Sequence, residues 1–469
     1  MSYSYNEAFN SSLGYFDGDD LAAKVFVDKY ALRDNDGNLL EKTPACMHSR
    51  IASELARIES KKFKKPLSFD QIYSYLDRFN KIVPQGSLLY GIGNNHQYVS
   101  LSNCYVLSSP VDSYGGIHKA DEELSHISKR RGGVGIDISH IRPAGVITKN
   151  AARTSTGIIP FMERFSNSIR EVGQGGRRGA LMITISVHHP QVIDFATIKR
   201  DLTKVTGANI SVRLTDEFLH AVETDSLYEQ RFPVDSAKPT ISIKVPARDV
   251  WRKIIENAHY MAEPGLLFWD TIIKESPADC YSKFGFDTQS TNPCSELPLS
   301  PNDSCRLLLE NLFSYVKNPF CSDAYFDFDE FYKDSKIAQR LMDDIIDLEL
   351  EAIERIIEKI KKDPEKSDVK ERELQLWNNI KNACFNGRRT GTGITALGDA
   401  LAALNIKYGS EESIKFTEKV YKNLKLACYR SSVEMAKELG AFPVWDHELE
   451  KNNPFLLRMK EEDPGLYDE

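Results

Sequence analysis

Residues 134–138 (VGIDI) and 181–187 (LMITISV) are short apolar runs set off by glycine and turn residues, and they read as buried strands. A third run of the same kind is ISIKV at 241–245. Helical stripes alternate with these runs, as in Val250, Ile254, Ile255 and Ala258, the spacing of one helix face. Strand and helix in alternation from Ile82 onward predict an α/β sheet or barrel rather than two segregated halves.

Upstream of Ile82 the pattern is helical throughout. Asp19-Asp20 precedes a stripe of Leu21, Ala22, Val25, Phe26 and Tyr30, an acidic helix start followed by an apolar face. Further stripes run through Met47, Ile51, Leu55 and Ile58, and through Phe69, Ile72, Tyr73, Leu76 and Phe79. Residues 1–81 are therefore expected to form a helical domain. Downstream, the longest helical pattern lies at 329–362, with Ile337, Leu341, Ile345, Leu348, Ala352, Ile356 and Ile360 among charged residues. The charged, Pro364-containing stretch 361–373 (KKDPEKSDVKERE) is expected to be an exposed loop. Residues 451–469, small apolar clusters between turn residues, read as a tail.

Composition removes several classes of function. The chain has 469 residues, 41% hydrophobic and 27% charged, with 60 Lys plus Arg against 68 Asp plus Glu. That balance fits a folded globular protein and gives no basic surplus for nucleic acid. The polar start lacks a secretion signal and the apolar runs are too short to span a bilayer, so a cytoplasmic chain with no membrane partner is expected. Eight cysteines at 46, 104, 280, 294, 305, 321, 384 and 428 form no CxxC pair, so no metal site is expected. In a reducing compartment any Cys–Cys bond would be transient and catalytic.

Phosphate signatures are incomplete. Gly91-Ile92-Gly93 and Gly133-Val134-Gly135 lack the third glycine of the dinucleotide fingerprint, and no GxxxxGK[ST] occurs. The turns Arg131-Gly132-Gly133-Val134-Gly135 and Gln174-Gly175-Gly176-Arg177-Arg178-Gly179 fit either an anion cradle or tight packing of strand on helix. Asn292-Pro293-Cys294-Ser295-Glu296 is more pointed. If extended around Pro293, it would put Asn292, Cys294 and Glu296 on one face. An amide, a thiol and a carboxylate together offer a hydrogen-bond donor, a radical or nucleophile, and a proton acceptor. A buried structural cysteine beside a solvated glutamate is the other reading of the same residues. Cys104 and Cys305 could add a dithiol able to supply two electrons, although spacing alone does not show that they meet.

The chain resembles the large catalytic (α) subunit of aerobic ribonucleotide reductase. The resemblance rests on an ordered series of runs: SLSNCYVLSSPVDSYGGI (100–117), KRRGGVGIDISHIRPAG (129–145), TSTGIIPFMERF (154–165), QGGRRGALM (174–182), NPCSELPLS (292–300) and GRRTGTGITALGDAL (387–401). It implies a ten-stranded α/β barrel with a radical cysteine on a central finger loop, residues 82–469 supplying its N-terminal and central part. By this resemblance Cys294 would be the thiyl-radical cysteine that takes the 3′ hydrogen of the substrate ribose. Glu296 would accept the 3′-hydroxyl proton and Asn292 would hold that region. Cys104 and Cys305 would deliver two electrons and close a disulfide. Ser87, Asn103 and Gly133, with Cys104, Asn292 and Glu296, would contact substrate.

The same resemblance places an effector site for dATP, dTTP, dGTP or ATP at Asp112, Lys129, Arg142 and Lys149, and a loop linking effector to substrate at 200–209. Tyr15 leads directly into the helical domain, so an ATP cone is not expected. A Ser/Thr-rich phosphate loop, radical-transfer tyrosines and a C-terminal cysteine pair are expected from a second polypeptide completing a split subunit, with a fragment of a longer chain as the alternative. Other expected partners are a small dimetal radical subunit (β), thioredoxin or glutaredoxin, and a second copy of the large subunit. This chain is expected to bind no cofactor directly. Adenosylcobalamin is the alternative radical source, and a non-catalytic nucleotide-binding or dimerisation module is the alternative function.

Overall fold

A computed structural model describes residues 2–173 and 179–469. Five strands run parallel in one sheet, in the order β2 (Cys104–Val106), β3 (Gly133–Asp137), β4 (Leu181–Ser186), β5 (Asn209–Leu214) and β8 (Gly265–Phe268), with β1 (Ile82–Pro84) lying outside it. Parallel neighbours need crossover connections. They are supplied by the helices Tyr114–Ser128, Ile159–Glu171, Val192–Thr197 and Ala247–Met261. The run at 181–187 is buried on both faces, with Met182 the one apolar residue on its inner face. Leu181, Ile183 and Ile185, with Val134, Ile136, Ile210 and Val212, pack outward against Leu124, Phe165, Phe195 and Ile254 of those helices. The alternate positions, Gly133, Gly135 and Asp137, Thr184 and Ser186, and Asn209, Ser211 and Arg213, form the inner face.

The sheet curls into half of a barrel. A short β9–β10 hairpin (Ser290–Thr291 and Pro298–Leu299) lies against its inner face, and β11 (Ser304–Cys305) then pairs antiparallel with β2. After Arg306 the chain continues as β12 (Leu307–Asn311), antiparallel to β1 and parallel to β15 (Gly391–Thr395). Residues 304–311 thus join the two sheets. A small hairpin, β13 (Val316–Lys317) with β14 (Tyr325–Phe326), follows.

The expected N-terminal helices occur at Asp20–Lys29, Pro44–Lys62 and Phe69–Leu76. Their apolar faces, including Phe26, Met47, Ile51, Leu55 and Ile72, share one core with Leu341, Met342 and Ile345 of the helix Phe328–Lys362. Arg340 on Glu59 and Lys62 on Asp343 tie the same helices together. Among the described residues no helix is long and apolar enough to cross a membrane.

Several expectations need correction. The run at 241–245 is a strand, β7 (Ile241–Pro246), but among the described residues it pairs only with β6 (Leu227–Phe232), in a hairpin outside the barrel sheet. Residues 361–373 are not one loop. Asp363–Lys366 break the helix, which restarts at Ser367 and runs to Gly387 because Leu376, Trp377 and Ile380 have a core to bury into. The tail forms the helices Pro454–Glu462 and Pro464–Asp468, docked through buried Met459 and Leu466 and by Lys425 on Glu462.

Candidate active site

The sheet order fixes the centre of the site. Cys305 on β11 lies opposite Cys104 on β2, and Cys104 lies opposite Gly133 on β3. Directly opposed antiparallel residues have Cα atoms about 4.5–5.5 Å apart, which is within the span of a disulfide. Both cysteines are buried and present as thiols. A hydrogen bond with Cys104, and then burial, holds the Cys305 thiol well above its ordinary pKa. At neutral pH Cys305 therefore stays a protonated thiol.

The loop after β9 closes over this pair. Asn292 is fully buried, and its Nδ2 donates to Cys104 Sγ at 3.4 Å. Its Oδ1 accepts from the Leu297 N–H at 3.0 Å, and its own N–H donates to the Leu297 carbonyl at 3.1 Å. These bonds pinch residues 292–297 into a turn, with Ser295 at φ 72 and its N–H on the Asn292 carbonyl. The segment is thus not extended, and Asn292, Cys294 and Glu296 do not share a face. Asn292 points inward onto the dithiol, while Cys294 and Glu296 stand exposed at the tip.

The glycine-rich turn is explained by packing. A Cβ at Gly135 would lie 1.8 Å from the Thr291 carbonyl oxygen, and one at Gly133 would lie 2.9 Å from Pro293 Cγ. Gly132 is closed in by Ile127 and Tyr105. Glycine is needed here because the hairpin backbone rests on the strand itself. The second turn, Gln174 to Arg178, lies outside the described residues.

Ser87 and Asn103 flank the pair. The Ser87 N–H donates to Asn103 Oδ1 at 3.0 Å. Ser87 Oγ and Asn103 Nδ2 are buried with no hydrogen-bond partner among the described residues, and such polar groups are costly unless something else satisfies them. Beneath the strands, Glu349 is fully buried. It accepts from Ser100 Oγ at 2.7 Å, Ser102 Oγ at 2.9 Å, Tyr105 OH at 3.2 Å and the Leu101 N–H at 2.6 Å. Ser102 also reaches Ser304 on β11 at 3.2 Å, so one carboxylate anchors both cysteine strands to the helix Phe328–Lys362. Burial, followed by the Glu349 charge, holds the Tyr105 hydroxyl well above its ordinary range. Sequence reasoning missed Glu349. Its signal was a lone acid on the buried stripe between Ile345 and Ile353.

The expected effector residues are only partly gathered. Asp112 and Arg142 form an ion pair at 2.7 Å, backed by the Arg142 N–H on Asp112 Oδ1 at 3.1 Å. Lys129 caps the far end of the 15-residue helix Tyr114–Ser128, about 22 Å away at 1.5 Å per residue, and pairs with Glu373 at 2.8 Å. Lys149 is exposed on a small hairpin closed by the Ile147–Thr154 bridge. Among the described residues no group of three or more His, Cys, Asp or Glu side chains is placed to hold a metal ion.

The family model for the barrel domain of ribonucleotide reductase matches residues 102–461, and that for its all-alpha domain matches residues 16–96. A vitamin B12-dependent ribonucleoside-diphosphate reductase of Mycobacterium tuberculosis is 28% identical over 437 residues, 92% of this chain and 57% of that protein. One from Thermoplasma acidophilum is 29% identical over 483 residues, 90% of this chain and 58% of its own length. A ribonucleoside-diphosphate reductase subunit alpha of Chlamydia muridarum is 27% identical over 448 residues, 88% of this chain and 39% of the relative. The chain thus spans little more than half the length of the B12-dependent relatives. With both domain models matched in order across most of its residues, the chain belongs to the family of ribonucleotide reductase large subunits.

Proposed function

We propose that this chain is the catalytic component of a ribonucleotide reductase that converts ribonucleoside diphosphates to deoxyribonucleoside diphosphates. The observation that carries this reading is the convergence of three distant segments on one point: Cys305 opposite Cys104, Cys104 opposite Gly133, and Asn292 hydrogen-bonded to Cys104 beneath the Cys294 loop. Cys294, as a thiyl radical, removes the 3′ hydrogen of the ribose, and Glu296 takes the 3′-hydroxyl proton. The 2′-hydroxyl leaves as water while Cys104 and Cys305 together give up two electrons and two protons and close a disulfide, after which Cys294 returns the hydrogen to C3′, becoming a thiyl radical again, and Glu296 returns the proton to the 3′ oxygen. Asn292 keeps the Cys104 thiol aligned, and the unpartnered Ser87 Oγ and Asn103 Nδ2 are groups a ribose hydroxyl would satisfy.

The reaction needs a one-electron oxidation of Cys294 and a reductant for the disulfide. We assign the first to a small dimetal radical subunit and the second to thioredoxin or glutaredoxin. Relatives called subunit alpha favour that radical source, whereas the B12-dependent relatives favour adenosylcobalamin. The edge strands β8 and β15, each paired on one side only among the described residues, are where the remaining barrel strands would add. Asp112 and Arg142 are proposed to read a deoxynucleoside triphosphate or ATP. Lys129 joins that ligand only from a second copy, since it sits at the opposite end of its own helix, which implies a homodimer of the completed subunit.

The test is reduction of ribonucleoside diphosphate by the chain purified with its native partners, supplied in turn with adenosylcobalamin and with none. Turnover that is lost in Cys294→Ala supports the reading. Reduction that persists in that variant overturns the radical role, and turnover only with added adenosylcobalamin overturns the small-subunit assignment.

A further inference from the structure

The loop carrying Cys294 is held from one side by the inward row of β5. Asn209 Nδ2 donates to the Pro293 carbonyl at 3.0 Å, the bond nearest the tip. Two pairs of residues along the same strand face, Arg213 NH1 donates to the Gln289 carbonyl at 3.1 Å, at the base of the hairpin. Arg213 is itself fixed: it pairs with buried Asp137 at 3.2 Å and stacks 4.1 Å above the Trp269 ring. Thr184 completes this base, donating to Asp137 Oδ2 at 2.8 Å and sharing a 3.1 Å contact with Ser290 Oγ. Gly135 leaves the hairpin no room to settle deeper.

We propose that Asn209 and Arg213 are positioning residues that set where the Cys294 loop stands over the dithiol. This rests on the reading of Cys294 as the reacting thiol. Arg213 fixes the base through a charged, largely buried group, while Asn209 fixes the tip through one neutral donor. Asn209 also ends the segment 200–208. That segment is tied to the helix Ile159–Glu171 by Gly207 N–H on Ser166 Oγ at 2.9 Å, Arg170 on Thr206 at 2.7 Å and Lys204 on Glu163 at 3.1 Å. A displacement of 200–208 therefore reaches the Pro293 carbonyl, one residue from Cys294, through a single side chain.

The test is local hydrogen exchange in the full chain, read on peptides covering 289–299. Asn209 is exposed, so Asn209→Ala and the isosteric, non-donating Asn209→Asp should leave the melting temperature unchanged. Both should speed exchange of the Ser295 and Leu297 amides by roughly two- to tenfold, the range for one lost hydrogen bond. Arg213→Lys keeps a cation for Asp137 but loses the planar guanidinium that stacks on Trp269 and holds NH1 on both Asp137 and the Gln289 carbonyl, and should speed exchange across the hairpin base. In the completed enzyme Asn209→Ala should lower kcat with KM unchanged, because the loop and not substrate binding is disturbed. Unchanged exchange in all three variants overturns the proposal whatever the activity. Faster exchange in an enzyme whose wild type reduces nothing would sink the reductase reading and leave the tether standing.

Discussion

Replacing Gly135 by alanine tests the seating of the finger hairpin most directly. The new Cβ would sit 1.8 Å from the Thr291 carbonyl oxygen, and bringing that contact to the 3.0 Å where real Cβ contacts begin takes about 1.2 Å of movement. β3 cannot supply it readily, since all five of its residues are buried and it is paired on both sides, to β2 and to β4. The β9–β10 hairpin, held by two residue pairs, must give way and carries Cys294 with it. Overpacking of this kind costs about 1–3 kcal/mol of stability. A displacement of about 1 Å at reacting groups costs on the order of 100-fold in rate. Gly135→Ala should therefore melt only modestly lower while ribonucleotide reduction by the completed enzyme falls about 100-fold. Gly133→Ala, with 2.9 Å to the edge of the Pro293 ring, should lose less, and Gly14→Ala, with nothing within 4 Å, should lose nothing. Activity of Gly135→Ala within a factor of about two of wild type, at a native melting temperature, would refute the claim that this glycine positions the reactive loop.

Three further outcomes are expected. Mild thiol oxidation of the chain should link Cys104 to Cys305, the two cysteines that lie directly opposite each other across paired strands; peptide mapping without reductant checks this, and a different linkage would contradict the strand register. Arg142→Ala and Lys129→Ala should each weaken binding of a deoxynucleoside triphosphate roughly tenfold or more, as loss of a charged hydrogen bond does, with the Lys129 effect present only in the dimer; titration across protein concentration separates the two. Glu310, pushed up to about 8 chiefly by burial, stays protonated when folded but ionises near 4.5 when unfolded. Its contribution is complete below that value and is lost as pH rises towards 8, reaching about 3 kcal/mol by pH 7. Glu310→Gln should accordingly flatten the pH dependence of urea unfolding between pH 5 and 8, and parallel profiles for the two proteins would exclude that protonation.

Local pattern carried the helices and the main strands, because each buries a face that the sequence marks by period. The Phe328–Lys362 helix and the strands β3 and β4 fall within a residue or two of their sequence signals. Pattern failed where a distant neighbour decides the outcome. The charged run after 362 contains a helix start because Trp377 finds a core, and β7 leaves the barrel because its partner is β6. At the site, the cysteines, Asn292 and Glu296 stood out by chemical type and by resemblance, but the shape of their segment did not. A proline suggested extended chain, whereas hydrogen bonds between Asn292 and Leu297 made a turn. Arg213 gave no signal at all, and Asn209 stood out only as the end of the 200–209 segment, since an arginine and an asparagine in a strand look like surface until the hairpin they grip is in place.

The two halves of the candidate chemistry are held by different physical means, and the difference suits their tasks. Cys104, Cys305 and Gly133 are adjacent positions in a continuous ladder, anchored from below by Glu349. Such a ladder keeps a dithiol at disulfide distance without requiring the backbone to move when it oxidises. Cys294 instead sits on an exposed turn fixed by a few side-chain bonds, from Asn292, Asn209 and Arg213, over a floor of glycine. In the proposed reaction this thiol would have to meet a radical source and then a ribose, and a loop gives the access that a central strand cannot. In that reaction, rigidity of the electron-donating pair and adjustability of the hydrogen-abstracting thiol would thus be separated between sheet and loop. Asn292 joins them, because its side chain touches Cys104 with one end and closes the Cys294 turn with the other. Asn292→Ala should for that reason cost more than either a loosened loop or a weakened thiol contact alone, and Asn292→Asp, which keeps the acceptor for Leu297 but loses the donor to Cys104, should separate the two contributions.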